Sequence, residues 1–362
     1  MGREKKKILF IASEPSVGMV PFGAAIINSF QNSNYDVFAI TVSGIENTYS
    51  EMIQDGVVHK ECAYPTSKLG KLMHKFFPLG LFFLIRKMMK ANGIKNVHFL
   101  TGEYGFALFL TRILKRRCNL VYTVHDLEMH PYSSRRKKDV FWVYFFHKMT
   151  LRNIRFIDNL VTCSKKQALE LAKMYPQKKV IYHDFPSIVT TAMKNGNEIC
   201  SEVKDMTNYV LFFGTFSKYK GVDLLYEAFL NLKRKDVNLV FAGKGGYELN
   251  WNSNVKNVIH INRFIKDEEI ADLFRRAKIV VYPYIQATMS GVLTIAHFFK
   301  KRVLASDVQF FRDNIESDDV LFECGNVTDL ENKLDEMLSN EIVVGSSCGC
   351  KNIIDQMDPI YL

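Results

Sequence analysis

Three glycine-bearing stretches and one histidine pair carry the residue types that could do chemistry here. Gly214 and Gly221 bracket a loop that contains Thr215 and Lys220. Gly243, Lys244, Gly245 and Gly246 follow the apolar run VNLVFA, and Ser290 and Gly291 follow Gln286, Ala287, Thr288 and Met289. Each stretch lies after a β-branched or aromatic run that reads as a buried parallel strand. Each therefore falls at the carboxyl end of a strand, where open α/β sheets bind ligands. Free backbone N–H groups, two lysines and a helix start suit a diphosphate held without a metal. Ser290 is expected as the N-cap of a helix that runs from Val292 to Phe299.

Two other phosphate chemistries are excluded. No G-x-x-x-x-G-K-[ST] loop is present, and no clustered carboxylates suggest a magnesium site. The opening strand Lys6–Ala12 runs into SEPSVGMVPFG, where Gly18 and Gly23 do not form G-x-G-x-x-G, so a nicotinamide or flavin enzyme is disfavoured. No cofactor and no metal are expected.

The second chemistry is at NLVYTVHD, a strand that delivers His125 and Asp126 at its carboxyl end, with His130 five residues further on. A histidine beside an aspartate at a strand end can contact a reacting group. A purely structural histidine is the competing reading.

The elements that must position these residues alternate strand and helix throughout, which predicts an α/β fold. At 362 residues the chain is long enough for two domains. Residues 1–190 are expected as the first domain, the polar stretch 191–208 as a linker, and 209–340 as the second domain. Residues 341–362 read as a tail that could pack back as a helix. Asp267, Glu268 and Glu269 open a helix in the second domain, where acidic groups favour the dipole.

Charge is unevenly placed. Residues 1–162 carry 23 Lys+Arg against 12 Asp+Glu, a surplus of eleven, and the rest of the chain carries 25 against 26. The basic half calls for an anionic partner. Lys68–Lys95 holds seven basic residues and no acidic one around FFPLGLFFLI, which at ten residues is too short to span a bilayer. A basic, aromatic surface helix on anionic lipid is the expectation, a core helix with a solvated cationic face its rival. SRRKKDVFWVYFF is a second such cluster. No nucleic-acid module is visible, so nucleic acid is not expected as a partner. The seven cysteines lack metal spacing and suggest reduced thiols and a cytoplasmic address, peripheral at the inner membrane face.

FFGTFSKYKGVDLLYEAF, FAGKGG, RFIKDEEIADLFRRAKIVVYPY and QATMSGVLTIAHFFKKRVLAS resemble, in order and spacing, the C-terminal domain of GT-B glycosyltransferases of the retaining family 4 type. TVHDLEMH is similar to the acceptor-domain histidine motif of the same enzymes. The resemblance covers most of residues 205–335 strongly and 6–190 weakly. It implies two Rossmann-like domains with parallel sheets facing a central cleft. The second would hold a nucleotide-diphosphate sugar and the first a lipid-linked or polysaccharide acceptor. It further implies metal-independent hexosyl transfer with retention of configuration, as in bacterial cell-envelope glycan assembly.

Carried over residue by residue, Lys220 would pair with the diphosphate, with Gly214, Thr215, Gly243 and Lys244 beside it. Ser290 and Gly291 would offer backbone N–H groups, within a loop that includes Thr288, Met289 and Val292. Phe264 and Ile265 would lie against the base. His125 would act at the sugar, and Gly18, Asp126 and His130 would face the acceptor. Two family features are missing: Thr215 and Ser217 stand where an arginine is usual, and Ala287 and Ile295 where a glutamate pair is usual. A non-catalytic nucleotide-sugar-binding protein or partner subunit is therefore the alternative.

Overall fold

A computed structural model describes residues 5–16, 18–31, 33–44, 48–128, 137–247, 255–287, 290–340 and 353–362. The chain divides into two compact units: residues 1–186 with 350–362 form unit 1, and residues 187–349 form unit 2.

Unit 1 opens with β1 (Lys6–Ala12), α1 (Met19–Ser29), β2 (Tyr35–Ser43) and β3 (Val58–Ala63). Two helices follow, α2 (Lys68–Phe76) and α3 (Leu79–Asn92), then β4 (Asn96–Phe99), α4 (Leu110–Lys115) and β5 (Asn119–Thr123). α5 (Lys137–Phe156), β6 (Asn159–Thr162), α6 (Lys165–Met174) and β7 (Lys179–Tyr182) complete the run. The strands form one sheet in the order β3-β2-β1-β4-β5-β6-β7, with every pairing parallel. Ile8 to Ala12 are fully buried, as a central parallel strand covered on both faces requires. The edge strand β3 carries His59, Lys60 and Glu61 instead, and such polar residues discourage further pairing.

The basic segment expected as one surface helix is two. Pro78 has no N–H to continue α2, and Phe77, the residue before it, leaves helical geometry at φ −142°. α3 restarts at Leu79 and stops at Gly93, which takes the left-handed conformation at φ 66°.

Unit 2 contains α7 (Thr191–Asn195), β8 (Tyr209–Phe213), α8 (Val222–Asn231), β9 (Leu239–Gly243) and β10 (Val258–Asn262). It continues through α9 (Asp267–Arg276), β11 (Ala277–Tyr282), α10 (Val292–Phe298), β12 (Arg302–Ser306), α11 (Gln309–Asn314), β13 (Val320–Phe322) and α12 (Val327–Ser339). Its sheet is also parallel throughout, in the order β10-β9-β8-β11-β12-β13. Residues 191–208, expected as a linker, belong to this unit. The Thr190 hydroxyl caps α7 by accepting from the Met193 N–H, and Met193, Cys200 and Val203 join the unit's core.

The last described segment, α13 (Ile353–Met357) and the turn after it, returns to unit 1. Asn96 and Leu362 exchange two hydrogen bonds of 2.8 and 3.1 Å. The Tyr361 hydroxyl and Nδ1 of the buried His98 share one of 2.6 Å, and Asp358 meets Lys6 and Tyr35. Among the described residues no helix is long and apolar enough to cross a membrane.

Candidate functional site

In unit 2 the strand order reverses between β8 and β11, so the loops after these strands diverge around a crevice. Glycines let those loops approach. Gly243 has φ 152°, and a Cβ there would stand 2.0 Å from the carbonyl oxygen of Gly214. Gly221 has φ 65°, and a Cβ there would stand 1.9 Å from the Pro283 carbonyl oxygen. Any larger residue at either place would force backbone apart from backbone. The Ile285 N–H donates to the Tyr219 carbonyl at 2.8 Å, which ties the two loops together.

Lys220 is the cation of this crevice. Its Nζ lies 5.2 Å over the ring of Tyr284 and 3.1 Å from where a Cβ on Gly214 would be. Its side chain is buried, and that burial lowers its pKa, the neighbouring Tyr219 acting the other way. Among the described residues no carboxylate pairs with it. The Tyr284 hydroxyl and the Ser217 hydroxyl are also buried without hydrogen-bond partners. Burial raises the Tyr284 pKa, opposed by Ser290. Two buried hydroxyls beside a buried lysine without a carboxylate, on two converging loops, suit a polar anionic ligand.

Ser290 is not the N-cap of α10: Gly291 holds that position and no side chain caps the helix. α10 has seven residues, so its dipole contributes little, and Lys220 carries the positive charge. Tyr282 donates to the Val292 carbonyl at 2.9 Å and the Thr294 hydroxyl to the Gly291 carbonyl at 2.7 Å, which fixes the start of that helix. Gly291 packs on Ile188, whose Cδ1 is 2.5 Å from where a Cβ would be.

The loop after β10 is held by an arginine. Arg263 meets Glu202 at 2.7 Å and Glu269 at 2.6 Å, and Glu269 accepts from the Lys266 N–H at 3.0 Å. Arg263 thereby holds the Glu202 pKa down at about 2 and lowers that of Glu269. Cys200, Glu202 and Glu269 have metal-ligand spacing, yet the guanidinium already neutralises this cluster.

In unit 1, His125 takes a fixed orientation. Its Nε2 is 2.7 Å from the Leu100 carbonyl, so the proton belongs on Nε2, and its ring packs edge-on against Phe22 at 4.9 Å. Nδ1 is left as a buried acceptor without a partner. Burial lowers its pKa, against smaller raising effects of Leu100 and Asp126, so the imidazole is neutral at pH 7. Gln167 clamps the loop, donating to the His125 carbonyl at 2.9 Å and accepting from the Leu127 N–H at 2.8 Å.

Residues 198–348 match the family model for glycosyl transferases group 1. The match covers the crevice loops, Lys220 and the Arg263 loop. Solved structures similar to the whole chain have low identity and share the GT-B fold. An Anabaena protein, HepE, solved with UDP and glucose, is 16% identical at a TM-score of 0.61, over 92% of this chain and 90% of that one. WaaG, a glycosyltransferase involved in lipopolysaccharide biosynthesis, is 15% identical at 0.58, over 92% and 90%. An E. coli trehalose-6-phosphate protein bound with UDP-2-fluoro glucose is 10% identical at 0.60, over 98% and 94%. A comparison with curated protein sequences gives no match. The fold is therefore α/β of the GT-B kind, with two parallel-sheet units.

Within the group 1 segment, the structure brings together Gly214, Lys220, Gly243 and Val292, a Cγ1 of which is 3.9 Å from where a Cβ on Gly214 would be. Ser290 and Gly291 follow on the same loop, and Ser290 is buried. Thr215 and Lys244 are exposed at the crevice loops. Phe264 is 37% exposed and free to meet a flat ligand, whereas the Ile265 side chain, at 5%, joins the core. Thr288, Met289 and His130 lie outside the described residues. In unit 1, Gly18 is exposed at the start of α1 with no atom within 4 Å of where a Cβ would be, and Asp126 follows His125. Sequence reasoning gave no role to Tyr284, which it read as the end of a strand, and saw Ser217 only as a departure from the family's arginine.

Proposed function

We propose that this protein is a glycosyltransferase whose unit 2 holds a nucleoside diphosphate sugar. The observation that carries the reading is the buried, carboxylate-free Lys220 facing Gly214 and Tyr284 on loops that also hold the buried Ser217 hydroxyl. A diphosphate supplies the charge that this ammonium lacks and the acceptors that the two hydroxyls lack. Exposed Phe264 is suited to stack on the nucleoside base, and the UDP found in fold neighbours makes UDP-sugars the first donors to try.

In such a transfer the bond between the anomeric carbon and the diphosphate breaks. Negative charge grows on the leaving phosphate, and Lys220 stabilises it more in the transition state than in the ground state. No metal is needed for this. The neutral His125, with its free Nδ1, is suited to accept from a sugar hydroxyl rather than to carry charge. Gly18 and Asp126 belong to the acceptor side in this reading.

The acceptor is proposed to be lipid-linked or polysaccharide, met at an anionic membrane surface. Leu69 and Leu72 on α2, Phe77 in the turn after it and Phe83 on α3 are 69%, 50%, 44% and 60% exposed, and Phe141 on α5 is 61% exposed. Lys71, Lys87 and Lys90 stand exposed beside them. Phe76 packs on Phe145 at 5.1 Å and Trp142 at 6.0 Å, so the aromatic residues of α2 and α5 form one surface. Apolar side chains ringed by lysines suit the interface of an anionic bilayer.

A specific observation favours a second reading, nucleotide-sugar binding without transfer. Ile295 is 2% exposed in the core and Ala287 has no charge, so neither supplies a carboxylate. A thermal-shift screen against UDP, GDP, ADP, CMP and their sugar conjugates, with hydrolysis and transfer assays after it, separates the cases. A selective nucleotide shift with turnover supports transfer; a shift without turnover supports binding alone; no shift refutes both.

A further inference from the structure

Because every strand of unit 1 runs parallel, all the amino ends lie on one edge of the sheet, opposite the edge that carries His125. Residues 5–7, 95, 115–117, 155–158 and 178–179 lead into β1, β4, β5, β6 and β7, five neighbouring strands. They hold ten Lys or Arg, against the carboxylates of Asp158 among them and of Asp36 and Asp358 beside them, a surplus of seven. Neighbouring strands stand about 4.8 Å apart, so the row is about 20 Å long. Three of its cations are neutralised: Lys6 by Asp358 at 3.3 Å, and Lys115 and Lys178 by Asp158 at 2.6 and 3.6 Å. Lys5, Lys95, Arg116, Arg117, Arg155 and Lys179 are exposed, and among the described residues none of the six has a carboxylate within ion-pair distance.

Helix ends account for only part of this charge. Helices α1 and α3 to α6 end on the same edge, and each C-terminal dipole end amounts to about half a negative charge. Together they offset ~2.5 charges, well short of the surplus. Among the described residues no aromatic side chain beside these strand starts is exposed: Tyr35 and Tyr361 are buried, and Phe156 and Tyr175 are partly so. Cations without exposed rings lack the stacking platform of a single-stranded nucleic acid and the apolar wedge of a bilayer contact. They suit a matching row of carboxylates on a folded protein.

The same chain carries such a row. Residues 303–340 of unit 2 hold ten Asp or Glu against Arg312 and Lys333. They include β13, the outer strand of that sheet, with α11 and α12 on either side of it in sequence. The thirteen residues of α12 make a helix about 20 Å long. Its Leu330, Leu334, Met337 and Leu338 are buried in the core, which leaves Glu336 exposed and Glu331 partly exposed. Among the described residues neither glutamate pairs with a cation. The two rows match in length and oppose in sign. We propose that the basic row of unit 1 in one copy docks on the acidic α12 edge of unit 2 in a second copy. Exchanged reciprocally, two such contacts close a dimer. The proposal does not rest on the transfer reading.

The test is sedimentation of the full chain over a concentration series at two salt levels. At about 0.1 M charges act over about 10 Å, and at about 1 M over about 3 Å. The wild type is expected to reach twice its 41.8 kDa in the lower salt and to dissociate in the higher. Arg116→Glu with Arg117→Glu, both at exposed positions, should raise the dissociation constant about tenfold or more. Glu331→Lys with Glu336→Lys should do the same. Mixing the two doubly reversed proteins should restore a mixed dimer, because each reversed row then meets its opposite. A wild type that stays monomeric at every concentration in the lower salt overturns the proposal. An assembly that survives the higher salt, or that both reversed proteins form unchanged, is held by another surface and overturns it too. Failure of the two reversed proteins to pair with each other removes α12 as the partner of the basic row. Loss of anionic-vesicle binding in the arginine variant with self-association intact would give the row to a lipid surface instead.

Discussion

The backbone of Gly214 occupies the space that a side chain on residue 243 would need: the Gly214 carbonyl oxygen is 2.0 Å from that Cβ position. The ends of β8 and β9 are thus joined by two residues that cannot be anything larger. Gly243→Ala should cost about 1–3 kcal/mol from the positive φ alone, and more from the clash. Thermal unfolding should show the loss as a fall of several degrees, with nucleotide affinity reduced in whatever remains folded. An unchanged melting temperature would mean the loops can part without penalty.

Lys220→Ala should weaken nucleoside diphosphate binding by about 2–3 kcal/mol, the size of a charge-assisted contact. Calorimetry on a variant with wild-type melting behaviour measures it. Equal affinity would remove the lysine from the donor site.

The same lysine predicts a pH dependence. Its folded pKa lies below the ordinary value, so its charge is present at low pH and is lost as pH rises through that lowered value. Diphosphate affinity should therefore fall in alkaline solution before an ordinary lysine would titrate. A bound diphosphate favours the charged form, so binding there should take up protons, visible as a dependence of the measured heat on buffer ionisation. Proton-independent binding across the alkaline range would contradict the burial effect.

Arg263 predicts acid sensitivity. Glu202 and Glu269 have depressed pKa values in the folded protein, so their stabilisation is present above the ordinary carboxylate range and fades as pH falls toward about 2. Arg263→Leu should lower stability at pH 7, by no more than ~1 kcal/mol for the partly exposed Glu202 pair and more for the buried Glu269. The melting-temperature gap between wild type and variant should narrow below pH 4.5. A constant gap would assign the arginine's effect to packing.

Replacing Lys71, Lys87 and Lys90 with glutamine should weaken binding to anionic vesicles by about 1 kcal/mol per residue, and Phe83→Ser should weaken it further. Co-sedimentation with vesicles of mixed neutral and anionic lipid measures both. Retention at wild-type strength would place the membrane contact elsewhere.

The converging glycine loops of unit 2 were legible because they combine two strong local signals, a buried apolar run and a glycine at the strand's end that lets a neighbouring loop come close. Lys220 was readable for the same reason. That the Ile265 side chain is buried was not legible, because an apolar residue in a loop looks alike whether it faces a ligand or the core, and only packing decides. Ser290 was misassigned because cap preference concerns a position, and helix ends shift by a residue or two. The basic surplus of the first half was legible, but its gathering into one row was not, since Lys5 and Lys179 are 174 residues apart and share an edge only through the order of the sheet. A cation just before each of several strands was the signal that could have found it.

Because residues 353–362 finish the hydrogen bonding of Asn96, His98 and Lys6, unit 1 is assembled from two distant pieces of sequence. Unit 2 is one uninterrupted segment between them. During synthesis the second unit can reach its native state while the first, made earlier, still waits for its closing strap. A fragment ending before residue 353 should leave Asn96, His98 and Lys6 without these partners and be cut faster by proteases.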